Sequence, residues 1–258
     1  MRILFLGDIV GRPGRSIVRA KLNIFRENEN IDLVIANGEN SAAGSGLTPR
    51  ISEELFDGGI DVLTSGDHIW KKREIYDFLE TNDKIIRPLN YPEGAPGKGS
   101  TIINAGGVKI AVINLLGRVF MDALDCPFVK GRQEVERLRK ITPVIIVDMH
   151  AEATSEKVAM GWYLDGLVSA VIGTHTHIQT ADEKILPKGT AYITDSGMTG
   201  PYDSVIGRQK ECVLSRFITQ LPSKFEMAEN DIEMHGVIVD IDDKTGNALK
   251  ITRIQIKS

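Results

Sequence analysis

Short, continuously apolar runs alternate along the chain with stretches whose apolar residues recur every three or four positions. That alternation predicts βαβ units around a sheet with parallel strands. Residues 2–6 read as the first strand, and residues 12–28 as a helix with Val18, Leu22 and Phe25 on one stripe. Residues 33–36 form a second strand. Thr48 then caps a short helix carrying Ile51 and Leu55, Pro49 occupies its first turn, and Gly58-Gly59 stops it. Residues 60–64 give a third strand and residues 74–79 a helix, and the Pro- and Gly-rich stretch 87–99 reads as a long surface connection. After it comes a hairpin, residues 100–104 and 108–115 around Ala105-Gly106-Gly107. Residues 144–148 and 168–173 return to buried-strand runs, with a helix from about residue 155 to 165 between them. From Glu233 onward the pattern is a closing hairpin that turns near residues 242–247.

The polar residues sit in register with these runs. Gly7-Asp8, Asn37-Gly38-Glu39-Asn40, Gly66-Asp67-His68, the stretch ending in Asp148 and His150, and Thr174 to His177 each lie just past an apolar strand. In α/β sheets the crevice outside the carboxyl ends of the strands is where ligands bind. Five strands therefore deliver polar side chains to one rim.

Composition narrows the possibilities. A length of 258 residues suits one large α/β domain, read here as residues 1–258, and 42% apolar with 26% charged residues is an ordinary globular balance. A formal charge of −4 leaves no basic excess to track a long phosphate backbone, so long nucleic acid is not an expected partner. A small anion stays open, because bound metal supplies positive charge that a residue count does not see. Cys126 and Cys212 are far apart and make no CxxC, so both are read as reduced and structural. The N-terminal apolar run is too short for a signal or a membrane span, which gives a cytoplasmic expectation and no membrane partner. A homo-oligomer is suggested by general frequency and by no motif.

The chemistry lies in the rim. Of five histidines, His68, His150, His175 and His177 fall in the strand-end clusters and only His235 lies elsewhere. Taken singly, His175-Thr176-His177 is either a polar strand end or a ligand pair, Asp8 a turn residue or a ligand, and Glu39-Asn40 a polar loop or a ligand pair. Together they are explained by one dinuclear metal site held by Asp8, Glu39, Asn40, Asp67, His150, His175 and His177, with Glu39 as the natural bridge. Carboxylate, amide and imidazole ligands without thiolate suit iron or manganese, with zinc the alternative. Two such ions ~3.5–4 Å apart would position a hydroxide for in-line attack on a phosphoryl group. His68, beside the ligands but outside them, is read as the general acid that protonates the leaving oxygen, with a structural core histidine as the other reading.

These residues resemble the calcineurin-like metallophosphoesterases, and more closely their YmdB-like branch of bacterial cyclic-nucleotide phosphodiesterases. The resemblance spans the chain through GDIVGRPGR, ANGENSAAGSGLT, TSGDHIW, DMHAEATSEK, GTHTHIQTAD and TDSGMTGPYDSVIG. It implies a four-layer α/β/β/α sandwich, two packed mixed sheets flanked by helices. It also implies one metal on Asp8, Glu39, Asn40 and His177, the other on Glu39, residue 67, His150 and His175, and His68 as proton donor. The substrate class it implies is a small phosphodiester, 2′,3′-cyclic nucleotides. Two departures stand out. The superfamily's Asp-x-His is Asp8-Ile9-Val10 here, with Asn40 in place of that histidine as in the YmdB-like branch, and the usual Gly-Asn-His is Gly66-Asp67-His68.

Hydrolysis of a small phosphodiester is thus the leading expectation. The alternatives are a phosphomonoesterase using the same site and a weakly active regulatory or scaffold metalloprotein, the latter motivated by Asp67. A nucleic-acid-binding module is disfavoured, since there is neither a basic stripe nor an aromatic-rich sheet motif. Residues 119–129, with Met121, Cys126-Pro127 and Phe128, read equally as a lid touching a base or as ordinary loop packing.

Overall fold

A computed structural model describes all of residues 1–258. The chain begins with β1 (Arg2–Leu6), β2 (Asp8–Ile9), α1 (Gly11–Asn28), β3 (Leu33–Asn37), α2 (Pro49–Asp57), β4 (Val62–Thr64) and α3 (Ile75–Thr81). It continues through β5 (Ser100–Ala105), β6 (Val108–Leu116), α4 (Pro127–Leu138), β7 (Ile145–His150), α5 (Thr154–Leu164), β8 (Ala170–Thr174), β9 (Lys184–Ile185) and β10 (Ala191–Ile193). It closes with β11 (Met198–Pro201), α6 (Lys210–Thr219), β12 (Ile232–Ile241) and β13 (Ala248–Lys257).

Two mixed sheets result. In the first, β1, β3 and β4 run parallel, β12 pairs antiparallel with β1 and with β11, and β13 pairs with the other edge of β12. In the second, β6, β7, β8 and β10 run parallel, with β5 and β9 as antiparallel edges. Alternation along each strand assigns the layers. Ile3 and Phe5 of β1 face Ile110, Val112 and Ile146 of the second sheet, whereas Leu4 and Leu6 pack under α1, α2 and α3 through residues such as Leu22, Leu55 and Leu79. Ala111, Ile113 and Val147 point the other way, against Val135 of α4 and Met160 of α5. Strands buried on both faces are apolar at every position, which is why they read as uninterrupted runs. The helix, sheet, sheet and helix layers match the expected sandwich.

Local chemistry explains several boundaries. The Thr48 side chain accepts from the Ile51 amide at 3.2 Å, Pro49 starts α2, and Gly59 leaves it at φ +105°. Gly106 and Gly107, at φ +59° and +83°, make the tight turn between β5 and β6. The stretch 87–99 differs from expectation: it has no helix or long strand, but its start is buried rather than on the surface. Asn90 substitutes for a strand there, its amide accepting from Leu116 N and donating to Leu116 O, both at 2.9 Å. Within residues 119–129, α4 begins at Pro127 and Phe128 meets Tyr163 of α5 edge to face, whereas Phe120 is exposed. No helix is long and apolar enough to cross a membrane.

Candidate metal centre

The carboxyl ends of the parallel strands of both sheets meet at one rim. The first sheet brings Asp8 from β2, Glu39 and Asn40 from the loop after β3, and Asp67 and His68 from the loop after β4. The second brings His150 at the end of β7 and His175 and His177 from the loop after β8. All eight residues converge. The approach is close enough that Gly66 has no room for a side chain: a Cβ there would lie 2.3 Å from the His150 ring and 2.4 Å from Glu39 Oε2.

One quartet has the form of a cation site. Ligand atoms of Glu39, Asp67, His150 and His175 all lie within 4.8 Å of one another. His150 Nε2 is 3.1 Å from Glu39 Oε1 and 3.0 Å from His175 Nδ1, and Asp67 Oδ1 is buried without any hydrogen-bond partner. Two ring nitrogens facing each other beside an orphaned carboxylate oxygen call for a shared cation.

The hydrogen bonds on the far side of each ring show which nitrogen is free. The Thr174 hydroxyl donates to Asp148 Oδ1 at 2.6 Å and so accepts from His150 Nδ1 at 2.8 Å, leaving Nε2 turned inward. Burial pushes the Asp148 carboxyl up to about 6, so at neutral pH it remains an acceptor in this chain. His175 directs Nε2 to Glu152 at 3.1 Å and turns Nδ1 inward. His177 gives Nδ1–H to the Ile206 carbonyl at 3.1 Å and turns Nε2 toward Asp8 Oδ1, 3.7 Å away.

Charge agrees with that geometry. Burial works against a proton on His150, but Glu39, Asp67 and Asp8 outweigh it and push the imidazole well above its usual range. The carboxylates thus demand positive charge at this spot. Burial, with His150 adding to it, lowers His175 to about 4, so its ring is neutral and able to ligate. Burial would raise the Asp67 and Glu39 carboxyls, yet the neighbouring His150 holds both below the ordinary range.

The second quartet shares Glu39. Asn40 Nδ2 lies 3.4 Å from Glu39 Oε1, 3.3 Å from Asp8 Oδ1 and 3.2 Å from His177 Nε2, while Asn40 Oδ1 accepts from His68 Nδ1 at 2.8 Å. An amide N–H₂ therefore faces the other three groups. Rotating this amide by half a turn, which exchanges atoms of nearly equal size, puts an oxygen there instead. His68 Nε2 lies 3.7 Å from Asp67 Oδ2, at the edge of the first quartet and outside it.

Sequence reasoning missed the groups that hold this centre in shape. His175 and His177 have φ +94° and +65°, a left-handed backbone that costs a non-glycine residue of order 1–3 kcal/mol. Between them, Thr176 donates its amide (3.1 Å) and hydroxyl (2.6 Å) to Asp195 Oδ2, which also takes the Lys157 ammonium at 2.7 Å. Both members of that ion pair are buried. Replacing Asp195 with Ala strands the ammonium and frees the strained loop, so unfolding free energy should fall by about 3–5 kcal/mol in a denaturant titration. Replacing the pair together, Lys157→Met with Asp195→Leu, should cost less than the single change. Asp195, Glu152 and Thr174 all lie in the stretches quoted above, but nothing in their types marked them out.

A cavity of about 720 Å³ opens onto the centre. Glu39, Asn40, His68, His175 and His177 form one side, and its apolar side comes from Ile206 and from α6 and the segment after it, not from residues 119–129.

Comparison with known proteins agrees with the architecture. The family model described as YmdB-like protein matches residues 4–254. The chain belongs to the YmdB-like family. It is 52% identical over 256 residues to the 2′,3′-cyclic-nucleotide 2′-phosphodiesterase of Bacillus subtilis strain 168, covering 99% of this chain and 97% of that protein. Among solved structures, a hypothetical protein from Thermus thermophilus superposes with TM-score 0.94 at 42% identity, covering all of both chains. A novel phosphatase from Mycoplasma pneumoniae superposes with TM-score 0.94 at 34% identity, over 100% of this chain and 93% of that one. A calcineurin-like phosphoesterase of B. subtilis shares the fold alone, with TM-score 0.58 at 11% identity, over 100% of this chain and 90% of that one. The YmdB-like chain thus has the calcineurin-like phosphoesterase fold, with a Glu, Asp and His cluster able to hold metal where the strands of both sheets end.

Proposed function

We propose that this YmdB-like protein is a dinuclear-metal phosphodiesterase that hydrolyses small phosphodiesters, with 2′,3′-cyclic nucleotides as its substrates. The phosphodiesterase class rests on identity with the B. subtilis enzyme along the whole chain. The observation that carries the dinuclear reading is Glu39, whose Oε1 lies within 3.1 Å of His150 Nε2 and 3.4 Å of the Asn40 amide, between the two quartets. Glu39, Asp67, His150 and His175 would hold one ion, and Asp8, Asn40, His177 and Glu39 the other. Iron or manganese suits this donor set, with zinc the alternative. Bound there, the two ions would supply the Lewis acidity that activates water and neutralises phosphoryl oxygens.

The remaining work falls to side chains. The His68 ring lies against Asn40 and lines the cavity. In its imidazolium form it would pass the Nε2 proton to the leaving ribose oxygen as the bond from phosphorus to that oxygen breaks, and be left a neutral ring. Glu152, Thr174 and the Ile206 carbonyl keep the other three rings aimed inward throughout.

The test is direct. Protein stripped with chelator and reloaded with manganese should convert 2′,3′-cyclic AMP to adenosine monophosphate. Hydrolysis of adenosine 3′-monophosphate with no turnover of the cyclic diester would instead favour the phosphomonoesterase reading, which the description of the Mycoplasma relative as a phosphatase keeps in view. No turnover of either ester would remove both.

Asp67 gives a second expectation. Three carboxylates against two divalent ions leave one net positive charge before hydroxide is counted, where an Asn at position 67 would leave two. Asp67→Asn should bind the ion of the Glu39, His150 and His175 quartet less tightly and turn over faster at saturating metal, since a less neutralised ion polarises the phosphoryl oxygen more. Metal titrations of activity for the two proteins check both halves, and unchanged affinity together with an unchanged saturated rate would place Asp67 outside the coordination sphere.

A further inference from the structure

The cavity is chemically divided. Facing the carboxylates and imidazoles is a wall built by the turn Val205 to Arg208, by α6 and by the segment after it, which carries Ile206, Val213, Phe217 and Phe225 with the guanidiniums of Arg208 and Arg216. This wall is fixed to the centre. Val205 and Arg208 exchange backbone hydrogen bonds at 2.9 and 3.0 Å, and the Ile206 carbonyl inside that turn is the one that holds His177.

Its side chains differ in how far they are already engaged. Phe225 has the Arg216 guanidinium 5.1 Å from its ring centre, a cation–π arrangement that uses both groups. Phe217 has no such partner and is 71% exposed at the cavity. Arg208 is tethered by the carbonyls of Ala43 and Gly44, at 3.4 and 2.6 Å, and approaches Met227 Sδ at 3.2 Å. Burial alone lowers its basicity, and no carboxylate offsets that burial. A half-buried guanidinium without a counter-charge, on the same cavity as the metal ligands, is complementary to an anion. The centre itself leaves room for such help, because three carboxylates and a hydroxide would cancel the charge of two divalent ions.

We infer that this wall is the nucleotide subsite, where the face of Phe217 stacks on the base and Arg208 meets the anionic phosphate as the diester enters. The inference rests on the phosphodiesterase reading and extends it from the reacting group to the nucleoside. A lone phosphate would need only the arginine, and an apolar ligand only the phenyl rings. A base carrying a phosphate uses both.

Two variants and two substrates separate these roles. The substrates are 2′,3′-cyclic AMP and glycerol 1,2-cyclic phosphate, which has the same five-membered diester and no base. Phe217 is exposed, so its replacement leaves the core packing alone. In Phe217→Ala the ratio of kcat/KM for the nucleotide over the glycerol ester should fall on the order of ten-fold, chiefly through KM, the scale of one base–aromatic stack. Arg208→Gln should lower kcat/KM for both substrates together, leave their ratio within about two-fold, and flatten the dependence on ionic strength. Arg208→Lys, which keeps the charge, should recover part of that loss. An unchanged ratio in Phe217→Ala, or normal turnover of both esters by Arg208→Gln, would overturn the subsite. Metal-loaded wild-type protein inactive on both esters would overturn the phosphodiesterase reading beneath it, an outcome distinct from the other two.

Discussion

Glu39→Gln should leave a folded protein that no longer retains two metal ions and hydrolyses 2′,3′-cyclic AMP no faster than protein kept in chelator. The change keeps size and shape, and Gln can still accept the His68 amide proton that Glu39 Oε2 takes at 3.0 Å. What it removes is charge at the point shared by both quartets. Oε1 faces His150 on one side and Asn40 on the other, and a neutral amide there offers one oxygen and one N–H₂ group where two cations need anionic oxygen. Losing a partner outside the coordination shell typically weakens metal binding by about 10–100-fold, and a bridging ligand should cost more than that for both ions. Metal analysis after gel filtration, set beside a circular dichroism melt to confirm folding, checks the claim. Two ions retained in the variant would show that Glu39 is not the bridge.

His68→Ala should do the reverse, keeping the metals and losing the rate. The His68 ring meets the centre from its edge, at Asn40 Oδ1 (2.8 Å), Asp67 Oδ2 (3.7 Å) and Glu39 Oε1 (3.7 Å), and is partly open to the cavity, while its contact with Glu39 Oε2 is through the backbone amide that alanine keeps. General acid catalysis is typically worth about 10²–10⁴-fold, so kcat should fall by that order with metal stoichiometry unchanged. The loss should shrink with an ester whose leaving group needs no proton, such as bis-p-nitrophenyl phosphate, whose nitrophenolate departs unaided. An equal loss on both esters, or departure of a metal, would assign His68 a different task.

The residues of the candidate centre were legible in the sequence because their chemistry is rare and their places regular: four of five histidines and three acids stand just past apolar runs. Strands such as β1 and helices such as α2 were legible for similar reasons, one through burial on both faces and the other through Thr48-Pro49 and Gly58-Gly59. β11 was not, since Met-Thr-Gly-Pro has neither length nor strand propensity and is held by pairing with β12 and β2. α6 escaped because Phe217 and Ile218 are exposed, so its apolar positions do not trace a buried stripe. The groups that orient the histidines were illegible for a different reason. A threonine hydroxyl, a backbone carbonyl at Ile206 and a buried ion pair between Lys157 and Asp195 are common residue types whose roles exist only once β7, α5, β8 and the segments after β10 and β11 are in contact.

The central claim, that one pair of metal ions on this rim makes the chain a phosphodiesterase, is tested most directly by titrating manganese into chelator-stripped protein while following 2′,3′-cyclic AMP hydrolysis and bound metal in the same samples. Activity should be absent without metal, remain low through the first equivalent and reach its plateau at two ions per chain. Full activity in chelator, or a plateau at one ion per chain, would contradict it.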